Sequence, residues 1–194
     1  SVYGNGLYCY QEGRLIKHFM ASNSPLTYDV IHDITEKDNQ LWVATDGGGI
    51  NIISLDDFSF ASIQQKQDDV HSFPANTIYR LYLDSANNMW AGSIRRGLIG
   101  IKNVYACSYQ NVPFGNLYGL SNQTINSFFQ DSDGIVWVGT DGGGINRFDP
   151  ATGTFKHYPA TRYEKVVSMV EYSPDELLFF SFNNKQCVLL AAKY

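Results

Sequence analysis

Apolar residues in this chain fall into short runs separated by polar, glycine-rich breaks. Val30 to Ile34, Ile78 to Leu83 and Ile125 to Phe129 are runs of strand length. A polar break follows each, and then a run built around a tryptophan: Leu41 to Ala44, Met89 to Gly92 and Val136 to Gly139. Ile50 to Ile53, Leu98 to Ile101 and Ile145 to Phe148 make a third set, and Phe155 to Tyr158 reads as a fourth, outer strand. No long stretch recurs with the 3.6-residue period of a helix. Run length and turn-rich borders predict an all-β chain.

The pattern repeats. Leu41-Trp42-Val43-Ala44-Thr45-Asp46-Gly47-Gly48-Gly49-Ile50-Asn51 returns as Val136-Trp137-Val138-Gly139-Thr140-Asp141-Gly142-Gly143-Gly144-Ile145-Asn146, with a looser copy from Met89 to Leu98. Trp42, Trp90 and Trp137 stand 48 and 47 residues apart. That period belongs to four-stranded β-propeller blades. Asn39, Asn87 and Gly134 lie three residues before each Trp, and Gly49, Gly97 and Gly144 seven after. These residue types tolerate the positive φ of tight hairpins. Alternation puts Ala44, Gly92 and Gly139 on the tryptophan faces. A small residue there leaves room for a bulky side chain from the next sheet. Burying each indole stabilises by roughly 2–3 kcal/mol. One blade cannot cover both of its faces, so neighbours must.

The ends read as partial blades. Gly4 to Tyr10 resembles Gly142 to Phe148, and Leu15 to Phe19 resembles Phe155 to Tyr158. Val166 to Tyr172, the turn Ser173-Pro174-Asp175, and Leu177 to Phe182 form a front half, with Leu178 or Phe179 in the tryptophan's place. The expected layout is a partial propeller of about four blades: a partial blade over 1–20, blades over 21–65, 66–115 and 116–160, and a partial blade over 161–194. Uncovered flanks predict contacts with further blades or domains, and self-association of the isolated chain.

Charge narrows the partners. The formal net charge is −5 and no Lys/Arg block occurs, so neither nucleic acid nor an anionic membrane surface suits the chain. No apolar run is long enough to span a bilayer; Leu177 to Phe180 is four residues and Cys187 to Ala192 six. Cys9, Cys107 and Cys187 are far apart and form no CxxC pair; they read as small buried hydrophobes rather than a disulfide or zinc framework.

Candidate chemistry is sparse. Asp131-Ser132-Asp133-Gly134 opens like a calcium loop, but Ile135 and Gly142 occupy positions five and twelve, where ligands are needed. The triple glycines precede neither a Gly-Lys-Ser/Thr nor a helix, so hairpin geometry explains them. Most acids lie at turns, among them Asp38, Asp84, Asp131, Asp133, Asp149 and Asp175. Asp33 instead stands nine residues before Trp42, where other repeats carry Leu81 and Phe128; it either binds a ligand or caps local backbone. His18 and His157 share an outer-strand position and are expected to be exposed. Arg95-Arg96 replaces Gly47-Gly48 and Gly142-Gly143 at equal offsets from tryptophan. Two guanidinium groups there suit a carboxylate or sulfate on a sugar, a protein contact, or plain solvent. No catalytic residue, metal site or cofactor is expected.

Leu120-Ser121-Asn122-Gln123-Thr124-Ile125, then Asp131 to Thr140, then Gly143-Gly144-Ile145-Asn146-Arg147-Phe148-Asp149 resembles the two-component regulator propeller repeat. The first repeat is similar through its Trp-to-Gly stretch, and the second in outline. The resemblance implies the periplasmic sensor region of Bacteroides-type hybrid two-component histidine kinases, which commonly sense polysaccharide breakdown products. No kinase or receiver motif is present, so this is input machinery. The expected function is a non-catalytic sensor segment with an oligosaccharide ligand. The alternative is a secreted propeller lectin or a polysaccharide-degrading enzyme.

Overall fold

The computed structural model describes the backbone of residues 4–66, 72–102, 105–183 and 186–191, and the side chains of 4–66, 72–101 and 107–183. The chain divides into two compact units, Ser1–Leu83 and Asp84–Tyr194. The division falls inside the second repeat, after its first strand.

The first unit begins with a two-stranded sheet, β1 (Leu7–Gln11) and β2 (Arg14–Phe19). A four-stranded meander follows: β3 (Ile31–Lys37), β4 (Gln40–Thr45), β5 (Ile50–Ser54) and β6 (Phe60–Ile63). The unit closes with β7 (Ile78–Leu83). The second unit holds β8 (Met89–Ser93), β9 (Leu98–Lys102) and β10 (Tyr105–Tyr109). Next comes the meander β11 (Ile125–Gln130), β12 (Val136–Thr140), β13 (Ile145–Asp149) and β14 (Thr154–His157). A three-stranded sheet ends it: β15 (Val166–Ser173), β16 (Glu176–Ser181) and β17 (Gln186–Ala191). The described helical structure is one 3₁₀ turn, Pro159–Thr161.

The three tryptophans occupy the second strand of their repeats. Trp42 lies opposite Ile52, Trp90 opposite Gly100 and Trp137 opposite Arg147. The small residues beside them work as expected. A methyl group on Gly92 would come within 2.7 Å of the Ile125 side chain, and one on Gly139 within 2.8 Å of Val166. Each glycine thus receives an apolar side chain from the next sheet. Trp90 packs edge-on to Phe148 at 5.1 Å, and Phe148 lies tilted against Phe155 at 4.6 Å. Trp137 is fully buried among Ile145, Tyr158, Val166, Leu177 and Phe179.

Several sequence expectations change. The last sheet has a third strand, β17, that the pattern did not reveal. Leu178 holds the tryptophan-equivalent position: the two-residue turns after Lys37 and Ser173 are alike, which aligns Leu178 with Trp42. Asp33 aligns with Ser127, rather than with Phe128. Both sit at a register shift, opposite Ala44 and Gly139. The offset arises because the third repeat has one more residue between equivalent pairs of its first two strands: five between Gln130 and Val136, against four between Glu36 and Leu41. Cys107 is exposed and Cys9 half-buried, against the expectation of buried cysteines; the Cys187 side chain lies outside the described residues.

Candidate functional site

The hairpin turns carry nearly all the polar chemistry of the repeats, and most of it is spent on the fold. In the third repeat the Asp131 carboxylate, 6% exposed, accepts from the Asp133 and Ile135 amides at 3.0 Å each and from Trp137 Nε1 at 2.8 Å. Asp84 does the same in the second repeat: Ala86 N at 3.0 Å, Asn88 N at 2.7 Å and Trp90 Nε1 at 2.8 Å donate to it. Each carboxylate therefore closes its turn and satisfies a buried indole, as burial demands. The calcium-like loop is such a turn. Among the described residues, no group of three His, Cys, Asp or Glu could hold a metal ion. The first repeat lacks the device. Asp38 and Asn39, both at positive φ, make a two-residue turn, and buried Trp42 Nε1 has no hydrogen-bond partner among the described residues.

At the other end of the tryptophan strand, Thr45, Ser93 and Thr140 each donate a hydroxyl to the glycine carbonyl four residues on, at 2.9, 3.0 and 2.9 Å. Gly49, Gly97 and Gly144 all have positive φ, between 72° and 77°. Asn51 and Asn146 accept the amides of Thr27 and Ser121, which donate hydroxyls to the Gly48 and Gly143 carbonyls at 2.8 and 2.7 Å. The Thr-Asp-Gly-Gly-Gly-Ile-Asn signature is thus a structural clasp.

Asp33 Oδ1 accepts the Ile34 amide and Oδ2 accepts the Leu81 amide, each at 2.9 Å. Its carboxylate ties β3 to β7. His157 is buried, contrary to expectation. Its Nδ1 accepts from Gly115 N at 2.9 Å, so Nε2–H donates to the Gly119 carbonyl at 2.8 Å, anchoring the preceding loop. Burial pushes the Tyr158 phenol up to about 12; the Arg147 guanidinium opposes this and the Asp131 carboxylate adds to it. A folded-state value above the usual ~10 means the native state holds its proton more tightly. Stability is then whole below pH ~10 and falls as pH rises towards 12, by at most about 1.4 kcal/mol per pH unit. Denaturation titrations at pH 9 to 12 are expected to show this slope, and Tyr158→Phe to flatten it.

Arg95 and Arg96 are different. Both are exposed, and no ion pair reaches either among the described residues. Arg95 has φ 73°, where Gly47 and Gly142 have 122° and 91°. A left-handed arginine costs roughly 1–2 kcal/mol relative to a relaxed backbone. Gly48 and Gly143 are held tightly under Thr27 and Ser121, so neither position could take a side chain like that of Arg96 without a shift.

Comparison with known proteins agrees with this geometry. Residues 72–95 and 119–142 match the family model "Two component regulator propeller". These two stretches are similar to the two-component regulator propeller repeat. No curated protein matches it. Among solved structures it is similar to the extracellular domain of the hybrid two component system BT3049 from B. thetaiotaomicron, with TM-score 0.70 and 24% identity over 89% of this chain. The extracellular domain of BT4673 from the same organism is similar at TM-score 0.61 and 19% identity, over 86% of this chain. PorZ, a surface component of the type-IX secretion system of Porphyromonas gingivalis, is similar at TM-score 0.69 and 17% identity, over 97%. This chain spans only 23%, 22% and 30% of those chains. At these identities the likeness is one of fold, and it fixes the repeats as β-propeller blades. No helix among the described residues is long and apolar enough to cross a membrane.

Proposed function

We propose that this chain is a non-catalytic segment of the periplasmic sensor region of a hybrid two-component histidine kinase. On this reading, the Arg95–Arg96 turn contacts an anionic group, carboxylate or sulfate, on a polysaccharide-derived ligand. The observation that carries the site is Arg95 itself. It keeps a left-handed backbone where its repeat equivalents are glycine, while its guanidinium is exposed and makes no ion pair among the described residues. Glu12, Phe58 and Tyr163 are also left-handed, so the reading rests on the exposed guanidinium together with the backbone cost, not on that cost alone. Three of the acids singled out in the sequence, Asp33, Asp84 and Asp131, are engaged in accepting backbone amides. The sensor role is supported by the family match and by the extracellular two-component domains that share the fold.

The test is incubation of the chain with neutral and acidic oligosaccharides, read by calorimetry and by a reducing-end assay. Binding of acidic oligosaccharides without new reducing ends is the expected result. Turnover would contradict the non-catalytic reading and favour a polysaccharide-degrading enzyme.

A further inference from the structure

In the second unit a tyrosine stands where a turn calls for glycine. Thr161-Arg162-Tyr163-Glu164 is closed by the Glu164 amide, which donates to the Thr161 carbonyl at 2.9 Å. Arg162 has φ −56° and ψ 132°, and Tyr163 has φ 77°. These angles belong to a type II turn, whose third residue is normally glycine or asparagine. A bulky residue at that place is a backbone outlier. Phe58 is left-handed too, but it is half-buried and packs against Phe19 at 5.8 Å. Tyr163 is 69% exposed, so burial does not offset its backbone cost.

What this turn positions is Arg162. Its guanidinium carbon lies 5.0 Å from the Tyr163 ring centre and 5.1 Å from that of Phe114. Phe114 comes from the loop before β11, and that loop is fastened to β14. The Phe155 amide donates to the Leu117 carbonyl at 2.8 Å, and buried His157 bonds both Gly115 and Gly119. The His157 ring also packs against Phe114 at 5.1 Å. At the turn, Asn183 Nδ2 donates to the Tyr163 carbonyl at 2.8 Å. Two anchored rings therefore hold one exposed arginine. Nearby Lys165 is paired with Asp141 at 3.0 Å, whereas no ion pair or side-chain hydrogen bond reaches the Arg162 guanidinium among the described residues. Contact with aromatic rings engages the flat face of a guanidinium and leaves its in-plane N–H fork for an anion. Holding the side chain in place beforehand lowers the ordering cost of binding.

We propose that Phe114, Arg162 and Tyr163 form a binding site for a sugar acid: the Arg162 fork takes the carboxylate, and the exposed Tyr163 ring takes the C–H face of the pyranose. A planar carboxylate matches the two parallel N–H bonds of the fork. The electron-rich face of a tyrosine suits the C–H groups of a saturated ring. The site uses neither Arg95 nor Arg96, and it stands whether or not that turn binds a ligand.

The test titrates the full chain with methyl galacturonoside, read by NMR at the Arg162 Nε–H and the Tyr163 ring, signals that report this site separately from the Arg95–Arg96 turn. One fork and one ring supply few contacts, so a Kd on the order of 1–10 mM is expected. The methyl ester lacks the charge and acetate lacks the ring; each is expected to bind at least about fivefold more weakly. Arg162→Gln and Arg162→Lys should each weaken binding at least about fivefold, because lysine keeps the charge and loses the fork. Tyr163→Gly should weaken binding at least about threefold and melt at or above the parent's temperature, because glycine relaxes the turn. No response at Arg162 up to about 50 mM, or equal binding of the ester or of acetate, would overturn the proposal. So would unchanged affinity in either Arg162 variant, or a Tyr163→Gly chain that binds as tightly as the parent or melts below it.

Discussion

Asp131→Ala will destabilise the second unit by about 3–5 kcal/mol in chemical denaturation, the largest expected effect of any single polar substitution in the chain. The carboxylate is buried and serves three donors, two backbone amides and one indole N–H. Hydrogen bonds to a charged group contribute roughly 1.5–3 kcal/mol each, and a stranded buried donor costs a similar amount. Water entering the opened turn offsets part of that total. Asp131→Asn keeps an acceptor oxygen for the amides and is expected to lose less. The tryptophans supply an internal control. Trp137→Phe strips Asp131 of its indole donor, whereas Trp42 Nε1 has no hydrogen-bond partner among the described residues to lose. Trp137→Phe should therefore cost clearly more than Trp42→Phe. Equal losses would show that the Asp–indole bond adds nothing beyond packing.

Gly144→Ala is expected to cost at least about 3 kcal/mol, for two reasons that add. Its φ of 77° is left-handed, which costs an alanine roughly 1–2 kcal/mol. A methyl group there would also run into the Thr161 carbonyl and hydroxyl oxygens, well inside van der Waals contact. Thr161 cannot withdraw freely: its Oγ1 accepts the Ile145 amide and donates to the Tyr158 carbonyl, both at 2.9 Å. Gly142→Ala separates the two terms. Its φ is 91° and nothing lies within 4 Å of the added methyl, so only the backbone penalty applies. Thermal denaturation of the two variants side by side reads the difference, and equal destabilisation would contradict the close-approach argument. The same glycine recurs. Gly6, Gly49 and Gly97 would meet the carbonyls of Phe19, Ile63 and Tyr109 in the same way, which makes this position a rule of the repeat.

What could be read in the sequence was what local chemistry decides. Asn39, Asn87 and Gly134 do take positive φ, as their turn offsets from tryptophan required. The triple glycines do form hairpins; it is their last member, Gly49 or Gly144, that combines a left-handed backbone with a close approach to a neighbouring carbonyl, of Ile63 or Thr161. What escaped depends on distant partners. β17 has no tryptophan or glycine clasp to mark it. The burial of His157 depends on a loop around Gly115 and Gly119 that has no counterpart near His18. The pairing of Asp84 with Trp90 and Asp131 with Trp137 sits at a constant six-residue spacing, which was a readable signal. It was obscured because the first repeat shortens its turn and drops the bond. The same shortening shifted Asp33 by one register position, so its alignment with Leu81 and Phe128 failed. The replacement of glycines by Arg95-Arg96 was visible from sequence alone, but the backbone strain at Arg95 was not.

That strain allows a direct test of the central claim, that this is a recognition module whose second repeat departs from the structural rule at its ligand contact. Arg95→Gly restores the residue that the other repeats use. If Arg95 is kept for binding, the substitution should leave the melting temperature unchanged or raise it, by up to about 1–2 kcal/mol of added stability. It should at the same time weaken binding of an acidic oligosaccharide at least tenfold in titration calorimetry. A variant that is as stable as the parent and binds the same acidic oligosaccharide with equal affinity would contradict the account.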